Sequence, residues 1–241
     1  MDAIKLLRSQ GFGSRGAVKY LIENDLVFIN EELLTDCKKN FEKPWGLQLR
    51  VDDETLTTRE FVYLVLHKPA DHETSHRPQH HASVFDLLPP RLIERGVQAV
   101  GRLDADTTGL LLFSDDGQFI HRVSSGKRKC VKQYRIALRH PTNEAFLQAL
   151  LDGVLLHDDN ETVRALSATT TDAEGKQDPH VLYMEIDSGK YHQVKRMVAA
   201  AGNRVDALHR TAIGQFKLPD DLQSGQWREL TPAEVLACQG N

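Results

Sequence analysis

Residues 101–113 read Gly-Arg-Leu-Asp-Ala-Asp-Thr-Thr-Gly-Leu-Leu-Leu-Phe. A polar and charged run leads directly into four large apolar residues, Leu110 to Phe113. An apolar run this short, bounded by turn formers, predicts a buried strand. Gly101 and Gly109 bracket the polar part and let the backbone bend tightly there. Asp104 is therefore expected in a turn beside a core strand, with Arg102 close by. A carboxylate at the edge of a core, its charge kept by a basic neighbour, can act as a nucleophile or a base. Two other readings stay open at this point. One is a plain turn whose Asp side chains bond nearby backbone N–H groups. The other is a calcium loop, since Asp104, Asp106, Thr108, Gly109 and Asp115 fall at positions 1, 3, 5, 6 and 12 of the EF-hand pattern. Against the calcium loop, Leu112 stands where a ligand is usual, Asp115 replaces the bidentate Glu, and a strand rather than a helix is expected to follow.

A chain of 241 residues holds one large domain, or a small domain and a medium one. No apolar run approaches the length that spans a membrane. The N-terminal residues mix charges among their apolar positions and do not read as a signal peptide. Cys37, Cys130 and Cys238 are widely spaced and odd in number, which predicts reduced thiols and a cytoplasmic protein. The net charge of −4 hides a local pattern. Residues 121–139 carry Arg122, Lys127, Arg128, Lys129, Lys132, Arg135 and Arg139 with no acid. Residues 190–210 carry Lys190, Lys195, Arg196, Arg204 and Arg210 against the single acid Asp206. The acids gather elsewhere, at 52–54 and 158–161. A basic footprint on an otherwise acidic surface suits a protein that binds one site on RNA; an ordinary solvated face is the alternative for any single run.

Residues 1–59 predict a separate small domain. A helix over 2–10 is stopped by Gly11 and Gly13, and Ser14 caps a second helix over 15–24. Arg15 and Lys19, four apart, share a face of it. Leu26 to Asn30 predict a strand. Residues 50–60 are polar and charged and read as a linker. The second domain, 60–241, opens with a strand at 61–66 that Pro69 ends. Four histidines, His72, His76, His80 and His81, invite a zinc reading. Arg77-Pro78 interrupts any helix that would align them, so a mobile surface loop is expected. A short helix broken at Pro89-Pro90 is expected over 83–95, and a strand at 97–100.

Further on, a helix is expected over 118–125. Lys129 to Leu138 alternate as a half-buried strand, with Lys132, Tyr134 and Ile136 on one side. A helix over 142–151 with Thr142 or Asn143 as cap precedes strands at 163–169 and 180–187, joined by a polar hairpin loop. Val194, Met197, Val198 and Ala201 follow the spacing of a buried helix face, closed by Gly202. On that helix Lys195 flanks the buried face and Arg196 points more to solvent. A short helix is expected at 232–238.

Gly-Arg-Leu-Asp-x-Asp-Thr-Thr-Gly-Leu-Leu-Leu resembles the signature of RNA pseudouridine synthases, in the branch that modifies ribosomal RNA. The Lys132-x-Tyr134 element, the Gly189-x-Tyr191-His192-Gln193-Val194-Lys195-Arg196-Met197 element and the 207–214 segment are similar to later motifs of the same family. His67-Lys68-Pro69 resembles its Asn-Lys-Pro element, with His for Asn. The helix pair and strand of residues 1–59 resemble the small RNA-binding module named after ribosomal protein S4.

The resemblance implies an α+β fold: an S4-like RNA-binding domain plus a catalytic domain with a long, largely antiparallel bent sheet. It implies isomerisation of a uridine to pseudouridine, with Asp104 as the catalytic residue, Tyr134 packing against the base and Lys195 paired with Asp104. Lys195 would keep Asp104 ionised, because an opposite charge favours the carboxylate against burial. Leu208 would form an apolar wall. Arg15, Lys19, Arg102, Lys132, His192, Gln193, Arg196 and Arg210 would contact RNA. No cofactor or metal is implied, since nothing is oxidised and no group leaves. The Tyr191-His192 pair and Lys195 are closer to the branch acting on small-subunit RNA; a monomer acting on ribosomal RNA, alone or in a partly assembled small subunit, is the expected form. Asp104→Asn is expected to abolish isomerisation while RNA binding survives, because the carboxylate does chemistry and adds little to phosphate affinity. Pseudouridine formation and RNA affinity measured on the purified variant check this, and full turnover would sink the assignment.

Overall fold

Asp2 opens the chain's first helix, Ala3–Ser9, by accepting a hydrogen bond from the Lys5 N–H at 2.8 Å. Ser14 does the same for Arg15–Glu23, accepting from the Ala17 N–H at 3.3 Å. In the computed structural model that describes residues 1–125, 129–156 and 160–240, these helices belong to the first of two compact units. Their buried faces, including Leu6, Leu7, Val18 and Ile22, share a core with Val27, Ile29, Leu49 and Val51 of a four-stranded sheet. The strands run in the order Glu32–Leu33, Val27–Ile29, Gln48–Val51, Glu54–Thr57.

The last two of those strands correct the expectation of a linker over 50–60. Gln48–Val51 and Glu54–Thr57 form an antiparallel hairpin through Asp52, whose φ of 53° is left-handed. Only Leu49 and Val51 of the first strand point inward. A short hairpin with its other face in water carries the same polar composition as a linker, and two inward residues are too few to betray the alternation.

The first unit also takes in residues 88–98 and 114–116, beyond the boundary that local composition puts at 59/60. Arg95 shows why. Its side chain is 1% exposed and pairs with Asp115 at 2.6 Å. It also donates to Gln10 Oε1 at 2.9 Å and to the carbonyls of Arg59 and Glu60 at 2.9 and 2.7 Å. The expected helix over 83–95 separates into a 3₁₀ turn, Val84–Leu87, and a helix, Pro90–Glu94. Pro90 sits in that helix's first turn, where its missing N–H is not needed.

The second unit is built on a sheet whose main path runs Ser167–Thr169, Val181–Ile186, Lys132–Leu138, Val205–Ile213, Thr108–Ser114, Tyr63–Lys68, Trp227–Glu229. The outer pairs are antiparallel, while Thr108–Ser114 lies parallel to Val205–Ile213. Gly109 to Ser114 are all buried, so this strand reads as an unbroken apolar run rather than an alternation. Lys132–Leu138 alternates, with Lys132, Tyr134, Ile136 and Leu138 buried. Asn143 caps the helix Glu144–Asp152, accepting from Phe146 N–H at 3.0 Å. The helix Gln193–Ala200 buries Val194, Met197 and Val198.

The histidine segment is pinned by Glu73. Its carboxylate accepts from the N–H groups of Gln79, His80 and His81 at 3.1, 2.8 and 3.1 Å. His76 stacks on Phe85 with ring centres 3.6 Å apart. Among the described residues no three His, Cys, Asp or Glu side chains converge as a metal site, and no helix is long and apolar enough to cross a membrane. Lys127 and Arg128 of the basic run, and Asp158 and Asp159 of the acidic cluster, lie outside the described residues.

Gly109 sits where the parallel pair closes, opposite Arg210. Its φ is +102°, and a Cβ there would stand 2.3 Å from the Arg210 carbonyl oxygen. Gly109→Ala is therefore expected to lose roughly 2–4 kcal/mol of stability, the sum of left-handed strain and a backbone clash. Urea unfolding measures it; an unchanged midpoint would contradict the close approach.

Candidate active site

The carboxylate at the head of the buried strand sits where the sequence reading places it. Asp104 opens a turn in which its carbonyl accepts from the Thr107 N–H at 3.1 Å, and the strand Thr108–Ser114 follows at once. Such a turn would not hold its shape by itself. Two buried side chains clamp it. Thr74 donates its hydroxyl to the Leu103 carbonyl at 2.9 Å and accepts the Leu103 N–H at 3.2 Å. Lys68, fully buried, donates its ammonium to the carbonyls of Pro69, Ala105 and Thr107 at 2.9, 3.0 and 2.8 Å. Burial pulls the Lys68 pKa down to about 8, against the nearby charges of Asp106, Asp104 and Asp71.

Lys195 approaches from the helix Gln193–Ala200 and lies 3.0 Å from Asp104. The same ammonium donates to both oxygens of Asp106, at 2.7 and 3.0 Å. Burial lowers the pKa of Lys195, but hydrogen bonds to Asp106 and then Asp104 outweigh it and leave the group above the ordinary lysine value. Lys195 therefore remains a cation at neutral pH. Burial likewise opposes ionisation of Asp106, and the Lys195 hydrogen bond overcomes it, leaving that carboxyl below its usual range.

His192 completes the ring, with Nε2 3.2 Å from the second oxygen of Asp104. It enters the helix in a left-handed conformation, φ 47°, and its ring stacks on Tyr191 at 3.8 Å. A non-glycine residue adopts this backbone uncommonly, histidine more readily than most.

These groups face a cavity of about 120 Å³. Asp104, Lys195 and His192 line it together with Tyr134, Leu208, Lys132, Arg210, Arg102 and Gln193. Tyr134 is 8% exposed and presents an apolar ring to the space; Leu208 lies opposite Ile136 on the neighbouring strand. Arg102 is exposed. Gln193 is buried, and its amide closes the turn before the helix: it accepts from the Lys190 N–H at 2.9 Å and donates to Ser188 at 2.7 Å. Arg196 turns back to the Tyr191 carbonyl at 3.2 Å and does not line the cavity. Arg15 and Lys19 lie in the other unit, both exposed, with Lys19 3.2 Å from Glu23.

Sequence reasoning left Lys68, Thr74 and Asp106 without a role at the site. For Lys68 a signal existed. Leu64, Leu66 and Lys68 share one side of their strand, so a lysine follows two leucines into the interior. Thr74 carried no such signal, because its partner lies 29 positions away.

Residues 62–200 match the family described as RNA pseudouridylate synthase. The chain is similar over 231 residues, at 35% identity, to "Uncharacterized RNA pseudouridine synthase YtzG" of Bacillus subtilis, covering 96% of this chain and 95% of the relative. It is 41% identical over 197 residues to "Ribosomal small subunit pseudouridine synthase A" of Vibrio parahaemolyticus, covering 81% of this chain and 82% of the relative. A solved structure described as "Crystal structure of pseudouridylate synthase" superposes with a TM-score of 0.67 at 31% identity, covering 99% of both chains.

Removing the Lys68 clamp frees three backbone carbonyls of the turn that carries Asp104. Lys68→Met is expected to lower kcat by about 100-fold, the effect of a misplacement on the order of 1 Å. It also carries a pH signature. The folded value of about 8 lies below the 10.5 of a free lysine, so between them the unfolded chain binds more protons. Wild-type stability therefore gains from this group as pH rises through that window, and Lys68→Met lacks the gain. Urea unfolding of both proteins on either side of the window checks it; an identical pH slope would refute it.

Proposed function

Because the chain belongs to the RNA pseudouridylate synthase family, we propose that it isomerises a uridine of small-subunit ribosomal RNA with Asp104 as its nucleophile. The observation that carries the site reading is the Asp104 carboxylate, held between Lys195 at 3.0 Å and His192 at 3.2 Å at the edge of a cavity lined by Tyr134 and Leu208. The chemistry needs those parts. The N1–C1′ bond of the uridine breaks, the base turns, and a C5–C1′ bond forms. An anionic oxygen must meet the electron-poor sugar carbon, and Asp104 is that oxygen. Lys195 sets a cation 3.0 Å from that oxygen while the base excludes water. Tyr134 packs its ring on the base, which has to leave its stack to enter. The product has the atoms of the substrate, so the reaction itself consumes no cofactor.

The choice of ribosomal RNA rests on relatives named as small-subunit synthases and on the Tyr191-His192-Gln193-Val194-Lys195 form of the final motif. We assign Arg102, exposed at the cavity, to backbone phosphate; Lys132, His192 and Arg210 line the same space. Arg196 is assigned to phosphate outside it. Gln193 acts on RNA through the turn it closes rather than by direct contact. The N-terminal unit, with capped helices and exposed Arg15 and Lys19, serves as an S4-like RNA-binding domain with those two bases as phosphate contacts. The enzyme works as a monomer in the cytoplasm, on RNA that is naked or shaped by assembly proteins.

Incubating the protein with the RNA of each ribosomal subunit, naked and as partly assembled particles, and mapping pseudouridine at nucleotide resolution tests this reading. A single new pseudouridine in small-subunit RNA is expected. Modification confined to large-subunit RNA would move the target to the other subunit, and RNA binding without any modification would make the protein a non-catalytic assembly factor.

A further inference from the structure

Two side-chain nitrogens of basic residues lining the Asp104 cavity, Lys132 Nζ and Arg210 Nη2, are buried without a hydrogen-bond partner among the described residues. Lys132 is 7% exposed, and its Nζ is buried with no partner among the described residues. Arg210 is 4% exposed; its Nε donates to the Leu110 carbonyl at 2.8 Å, while its Nη2 is buried with no partner. The strands carrying them are neighbours, and Arg210 lies opposite Tyr134 in the pairing. Their charges act on each other: burial pulls the Lys132 pKa down first, and the Arg210 charge lowers it further, against Cys130 and Asp187. Among the described residues no carboxylate is hydrogen-bonded to either group. Asp104, the acid of the same cavity, is engaged by Lys195 and His192.

Buried donors are almost always paired, and leaving one unpaired in a native structure calls for an explanation. Two like charges side by side make the arrangement less favourable still, unless something anionic completes it. The reaction supplies one such species at this place. The inference rests on the reading that a uridine enters beside Asp104. Before reaction the base is neutral. When N1–C1′ breaks, its electron pair stays with the uracil, which then carries one negative charge shared among N1, O2 and O4. The Asp104 carboxylate takes C1′. After the ring turns, C5 supplies the pair for the C5–C1′ bond, the carboxylate leaves, C5 gives up its proton and N1 takes one. Atoms and charge balance, and the base is anionic only between cleavage and re-formation.

We infer that Lys132 Nζ and Arg210 Nη2 bind the detached uracil anion through its carbonyl oxygens and so speed the cleavage step. Donors fixed in a dry site favour the charge that develops over the neutral substrate, which is the condition for raising kcat rather than affinity. A backbone phosphate is a poorer fit. It carries its charge at all times and is met by an exposed base such as Arg102, whereas Lys132 and Arg210 are buried in the wall.

Lys132→Met is the discriminating variant, because it keeps the length of the stem and removes a buried charge without leaving a charged partner behind. Its thermal midpoint is expected not to fall. Single-turnover rates of N1–C1′ cleavage, read as loss of the N1-linked nucleoside, are to be compared on small-subunit RNA made with uridine and on the same RNA made with 5-fluorouridine, whose ring departs as a more stable anion but has no C5 proton to lose and so gives no pseudouridine. On uridine the rate is expected to drop by about 100-fold, as for loss of one oxyanion donor, with RNA affinity unchanged. On the fluorinated RNA the deficit is expected to be markedly smaller. An equal deficit on both RNAs, a wild-type rate, or a loss confined to affinity with a flatter salt dependence would overturn the inference. Asp104→Asn, run alongside, separates the two levels. If it is inactive while Lys132→Met is fully active, only the uracil-anion role fails; if it too turns over fully, the site reading fails with it.

Discussion

A buried ammonium holds the Asp104 turn in place. Lys68 reaches from the end of the strand Tyr63–Lys68 to carbonyls at both ends of the turn that follows Asp104. A polar segment such as Ala105-Asp106-Thr107 has no apolar side chain with which to anchor itself in a core. Its backbone carbonyls are the handles it offers to the interior, and a cation is the strongest donor that can grip them. Thr74 grips Leu103 from the other side of Asp104 in the same way. With the backbone fixed at 103, 105 and 107, the Asp104 carboxylate is left pointing at a defined place.

That placement lets the charges around it take separate roles. Lys195 is shared between Asp104 and Asp106, so its position is set by two carboxylates rather than one. Asp106, the more exposed of the two acids, answers part of the Lys195 charge and leaves Asp104 with an oxygen that His192 approaches. Arg210 links site to fold directly. Its backbone crowds Gly109, its Nε holds the Leu110 carbonyl, and the residue lines the cavity. The parallel pairing of its strand with Thr108–Ser114 thus fixes both the core and one wall of the site.

Elements read from the sequence differ in how well they show. Thr108–Ser114 and Lys132–Leu138 were plain, one as an unbroken apolar run and the other as an alternation, because burial imposes each pattern on the residues themselves. The helices capped by Ser14 and Asn143 were equally plain, since each of those side chains acts on an N–H group three residues on. The hairpin over 48–57 was not, because so little of it faces inward. The extent of the first unit was not either, because Arg95 joins Gln10, Arg59 and Asp115 across long stretches of chain.

The sequence by itself singled out the residues proposed for the chemistry. Asp104, Tyr134 and Lys195 stood out because each lies in a short motif that resembles one of the RNA pseudouridine synthases, and a motif is a property of neighbouring residues. Only the tertiary structure decided what those residues meet. That Lys195 serves two carboxylates, that His192 turns in toward Asp104, that Gln193 folds inward, and that Lys132 Nζ and Arg210 Nη2 are buried without a partner among the described residues all follow from contacts between distant segments. The physical reason is range. Helix caps and strand alternation act over a few residues, whereas a buried charge is defined by whatever the fold brings within about 4 Å of it.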